Sequence, residues 1–133
     1  MDSSRPLVDA VDRLRERDPR FPREAYLFVV AALAAAVERM PRVRREDAQR
    51  RHLSGGEVVT AVVRLARDEF GPLAPAVFRE WGVVAGHDIG AIVFDLVGCG
   101  QLSAREEDRP EDFRHPAELL AALSGTGSTP RPG

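Results

Sequence analysis

The sequence predicts a mainly α protein: a compact bundle of five to six short helices packed round one apolar helix, forming a single globular domain over 1–123. A winged-helix-like arrangement with a short β-hairpin near 101–115 is the alternative topology. Three observations predict the class. Apolar residues recur three and four apart along most of the chain, the period of an amphipathic helix. Glycine and proline punctuate these stretches where helices start or stop. With 133 residues, 44% apolar and 30% charged, the chain is large enough to bury its own core and lies far from disordered compositions.

Leu7, Val8, Val11 and Leu14 keep helical spacing, with Asp9, Arg13 and Arg17 four apart on another face, so the first helix is short and amphipathic. Asp18 and Pro19 end it. Phe21 and Pro22 open the second, with proline in the first turn, where its missing N–H costs nothing. Residues 25–37 are apolar on every side, and a helix without a polar face is normally surrounded, so this is the expected central element. Pro41 leads an arginine-rich connector, and Ser54 to Glu57 then form an S-x-x-E capping box that fixes the start of the third helix. Val59, Val62, Ala66 and Phe70 give that helix its apolar stripe, and Gly71 and Pro72 stop it. A fourth helix is predicted over 73–81 with Gly82 as its stop, and a fifth over 89–97 with Asp88 as its cap. Gly98 and Gly100 end the fifth, and a last helix is predicted over 116–123. Residues 124–133 carry nothing to bury and read as a disordered tail.

All nineteen basic side chains are arginine, a uniform preference best explained by high-GC codon usage, since it extends to the acidic regions as well. The lone Cys99 excludes an intramolecular disulfide and reads as a small buried hydrophobe, which with the charged N-terminus points to the cytoplasm. The longest apolar run is thirteen residues, short of the roughly 20 a membrane span needs, so no membrane association is expected.

Taken in order, RFPREAYLFVVAAL, RHLSGGEVV, FGPLA, WG, HDIGAIVFDLV and GQLSAREEDRPEDF resemble an uncharacterised bacterial family of small hypothetical proteins, the Minf type. The resemblance covers roughly residues 20–113 and departs at Cys99. That family has no established activity, so the resemblance implies none here and transfers no functional residue.

No catalytic, cofactor-binding or metal-binding set emerges from the residues, and no cofactor is expected. His87 beside Asp88 suggests a metal-dependent hydrolase, but such sites need three or four convergent ligands and only His52 and His115 remain. The G-C-G-Q-L-S run follows a helix instead of a strand and lacks a third glycine, so it is no dinucleotide loop. As a winged helix, 88–97 would offer the major groove acidic and apolar side chains, and the wing at 103–113 would repel phosphate. The acidic run lacks the spaced series of a calcium loop.

Charge is divided along the chain. Residues 1–53 hold twelve arginines against nine carboxylates, a net +3, whereas 54–133 hold seven against twelve, a net −5. The expected function is a non-enzymatic protein-protein interaction or adaptor module with an unknown protein partner. Its basic side would be Arg42, Arg44, Arg45, Arg50 and Arg51; its acidic side, Glu106, Glu107, Asp108, Glu111 and Asp112. The same charges would serve a homo-oligomer. The alternative is binding of RNA or DNA through the arginine connector 42–51.

Overall fold

A computed structural model describes residues 5–47, 53–100, 102 and 119–124. They form α1 (Arg5–Arg17), α2 (Arg23–Glu38), α3 (Arg42–Glu46), α4 (Gly55–Phe70), a 3₁₀ turn (Gly71–Leu73), α5 (Ala74–Trp81), α6 (Gly86–Gly98) and α7 (Leu119–Ser124). The mainly α class is therefore observed, and there is no strand among the described residues. The hairpin and wing expected near 101–115 lie outside them, apart from Leu102, whose N–H donates to the Leu96 carbonyl (3.3 Å) in a turn that closes α6. The tail expected at 124–133 is also outside, except Ser124, which ends α7.

Helix α1 buries Ala10, Val11 and Leu14. Its turn into α2 is tied by Arg15 Nε donating to the Phe21 carbonyl (2.7 Å) and by Arg23 binding both oxygens of Asp12 (2.9 and 3.0 Å). Pro22 occupies the N-cap of α2, one position before the first turn where it was expected. Helix α2 packs against α1, α4 and α6 without being enclosed, and the central position expected for it falls instead to α4, which touches α2, α5, α6, α7 and the 3₁₀ turn. Ala25, Tyr26, Val29 and Ala32 face inward, while Ala31 and Ala34 are exposed. An all-apolar sequence misled here because alanine, with a single methyl group, costs little when left in water.

Buried side chains from α1, α2, α4, α5, α6 and α7 form one core cluster. From α4 come Val58, Val59, Val62 and Ala66, one stripe at helical spacing. Four rings meet beside it: Phe28 of α2 stacks on Phe70 of α4 (5.4 Å), and both touch Trp81 of α5 (5.5 and 5.9 Å). Phe78 of α5 lies 5.8 Å from Phe28 and 5.2 Å from Trp81. Such pairs contribute about 1 kcal/mol each beyond their buried area.

Helix boundaries follow backbone chemistry. Gly82 ends α5 with φ 78°, a left-handed conformation that costs other residues a steric penalty, as the W-G pair predicts. Gly71 opens the 3₁₀ turn with φ 55°, and that turn takes in Leu73, so the helix expected over 73–81 begins one residue later, at Ala74. The arginine-rich connector after Pro41 contains a short helix, α3, in place of an irregular loop. Arg42 and Glu46, four apart and 2.9 Å from each other, lie along it.

Helix α6 starts three residues earlier than expected. Its N-cap is Ala85, and Asp88 sits at the third helical position and reaches back toward the cap. Tyr26 joins α2 to α6 by donating its hydroxyl to Asp95 Oδ2 (2.8 Å). Burial first, and then that acceptor, push the phenol pKa up.

Candidate functional site

His87 and Asp88 are the residues most suggestive of chemistry, and Asp88 is committed to structure. Its side chain, in a residue only 2% exposed, accepts from the Val84 and Ala85 N–H groups (3.0 and 3.1 Å) through Oδ2. Oδ1 accepts from Arg20, whose guanidinium also lies over the Phe21 ring at 4.6 Å. The carboxylate thereby satisfies N–H groups at the helix entrance and neutralises a cation from the α1–α2 turn. The His87 side chain is 64% exposed, with Nε2 3.7 Å from Asp88 Oδ1. No group of three or more His, Cys, Asp or Glu among the described residues could hold a metal ion. Cys99 is half-buried and directs Sγ at the Leu96 carbonyl (3.5 Å), less enclosed than the core thiol expected.

The connector arginines have local acceptors. Arg42 pairs with Glu46, and Arg45 Nη1 donates to the Glu38 carbonyl (3.3 Å). Arg44 grips Glu57 with both terminal nitrogens, each 2.9 Å from a different carboxylate oxygen. Arg50, Arg51, Glu106, Glu107, Asp108, Glu111 and Asp112 lie outside the described residues.

Glu57 belongs to two motifs at once. The predicted capping box is present: the Glu57 N–H donates to Ser54 Oγ (3.1 Å) and the Ser54 N–H to Glu57 Oε1 (2.9 Å). The same carboxylate receives Arg44, so α3 is fastened to the start of α4. The Arg44 hydrogen bonds, aided by the Ser54 N–H and opposed by partial burial, lower the Glu57 pKa from 4.5 to about 2. An unfolded chain takes up this proton near pH 4.5 while the folded one resists until about 2. The unfolded state thus binds more protons in that interval, and the stabilisation, whole above pH 4.5, fades as pH falls toward 2. Glu57→Gln should flatten the stability-pH curve in that window, read by urea unfolding at stepped pH. A variant curve parallel to that of the parent would refute the pairing.

Along α4, the stripe opposite the core is open. Glu57, Thr60, Arg64, Arg67 and Asp68 recur at three- and four-residue spacing and border a furrow. It consists of two adjoining depressions of about 570 and 560 Å³ that share Thr60 and Arg64. The first is walled by Ala36, Arg39 and Met40 from α2 and its exit, with Leu53 and Ala61 below. The second runs past Val63 and Arg67 to Gly71, Pro72 and Leu123 of α7. Arg39, Arg64 and Arg67 are exposed, and none has a carboxylate partner among the described residues.

Of the predicted basic residues that are described, only Arg44 lines this furrow; Arg42 and Arg45 lie on the adjoining α3. The sequence reading missed Arg39, Arg64 and Arg67. The helical spacing of 57, 60, 64, 67 and 71 was the available signal, but only the packing of α2 on α4 brings Arg39 to the same line. No single helix among the described residues is long and apolar enough to cross a membrane. No protein-family model, curated protein or solved structure matches the chain.

Proposed function

We propose that this chain is a non-enzymatic cytoplasmic interaction or adaptor module that binds a protein partner through a mixed, predominantly cationic surface. One observation carries the reading: an open furrow lined by both apolar and polar side chains is bordered by Arg39, Arg64 and Arg67, which have no carboxylate partner among the described residues. A surface that mixes apolar side chains with charge is the usual form of a non-obligate recognition surface. The α3 arginines extend the basic side, and the run from Glu106 to Asp112 supplies the acidic side.

Kinship with the Minf type is part of the same proposal. Its motif residues fall at structural junctions: Ser54 and Glu57 at the α4 cap, Gly71 after it, Gly82 at the α5 stop and Asp88 at the α6 entrance. A signature of this kind supports a shared fold and leaves recognition to the surfaces between the motifs.

The test is recovery of the native complex from the chain's own cell extract, with and without nuclease. A protein partner that survives nuclease and is lost from Arg42→Glu/Arg45→Glu, in a variant with unchanged circular dichroism, is the expected result. Material released by nuclease, with affinity falling steeply with salt, would replace this reading with the nucleic-acid one.

A further inference from the structure

We infer that the α4 furrow is a docking track for an acidic amphipathic helix supplied by a partner protein. The inference rests on the adaptor reading and specifies its ligand. Length is the first argument. The furrow follows α4 from Glu57 to the end of the helix at Phe70 and on to Gly71 of the 3₁₀ turn, so the track is about 20 Å long, matching roughly four turns of a bound helix. Shape is the second. The small side chains of Ala36 and Ala61 leave a recess, and the half-buried Leu53 and Val63 add apolar surface on either side of it. Apolar side chains three and four apart on a docked helix would enter such a recess.

Charge complementarity decides the sign of the partner. Arg39 and Arg64 border the first depression, and Arg64 and Arg67 the second. Glu57 is already neutralised by the two-point grip of Arg44, which leaves Asp68 as the opposing charge along the track among the described residues. Carboxylates flanking the apolar face of an incoming helix would therefore find guanidinium partners that need not leave existing ion pairs. Among the described residues the lining has no aromatic ring on which a base could stack, which favours a polypeptide over a single-stranded nucleic acid.

The full chain should be panned against a display library of helix-forming peptides of about sixteen residues, long enough to fill the track. Selected sequences should be enriched in leucine-like residues at helical spacing flanked by glutamate or aspartate. The strongest, as a labelled peptide in fluorescence anisotropy, should lose about tenfold or more in affinity to Arg64→Glu/Arg67→Glu, whose side chains are exposed and leave the core intact. Ala61→Trp, which fills the recess, should act likewise. Enrichment of basic sequences, or affinity unchanged by Arg64→Glu/Arg67→Glu, would overturn the inference. So would an oligonucleotide that displaces the peptide at lower concentration. A gain of about tenfold on neutralising Glu106, Glu107, Asp108, Glu111 and Asp112 would instead assign the track to the chain's own acidic run. Concentration-dependent dimerisation abolished by Arg64→Glu/Arg67→Glu would assign it to a second copy. If the furrow variants keep the native protein partner while Arg42→Glu/Arg45→Glu loses it, the adaptor reading stands and this one falls.

Discussion

Replacing Phe78 with alanine should cost about 4 kcal/mol, the range found for removing a large buried ring. The residue is 1% exposed, and its ring meets those of Phe28 and Trp81. The cavity would open where α2 and α5 meet, and rings fixed by mutual contact have little freedom to close it. A chain of this size unfolds with an entropy that turns 4 kcal/mol into a fall of about 14 °C in Tm. Phe78→Leu keeps most of the volume and should lose about 1.5 kcal/mol or less. Thermal circular dichroism on both variants checks the pair. A loss below about 1 kcal/mol for the alanine variant would mean that Phe78 is not a packing centre.

Asp88→Ala should be nearly as damaging, at about 3 kcal/mol, for a different reason. Truncation leaves the Val84 and Ala85 N–H groups without their acceptor and removes the partner of Arg20. Arg20 retains about half its exposure and can return to water, which keeps the cost below that of a fully buried pair. Asp88→Asn preserves an acceptor for the two N–H groups but not the charge, so its loss should be smaller. Denaturant unfolding gives this ordering directly. Equal stability of Asp88→Ala and the parent would remove Asp88 from the fold's supports and reopen a chemical role for the His87–Asp88 pair.

The helical class was legible because three independent signals agree: periodicity, glycine stops and the Ser54–Glu57 box. A capping box is readable from sequence because both members lie within one turn of each other. Asp88 was harder. Aspartate stabilises a helix start either from the cap or from the first turn, and Ala85 offers no side-chain acceptor to mark the true boundary. Helix α3 was missed because its arginines read as a solvated connector, although Arg42 and Glu46 had the right spacing. The furrow was the least legible feature. Its guanidiniums come from positions 39, 64 and 67, and the Arg44–Glu57 grip spans thirteen residues, so sequence neighbourhood conceals what helix packing assembles.

The junction of Phe28, Phe70, Phe78 and Trp81 has an experimental consequence. Trp81 is the only tryptophan, and its indole touches rings from α2, α4 and α5. Its emission is therefore a built-in optical gauge of whether these three helices are docked, while backbone dichroism reports only that they are wound. Divergence of the two signals during unfolding would reveal helices that come apart before they melt.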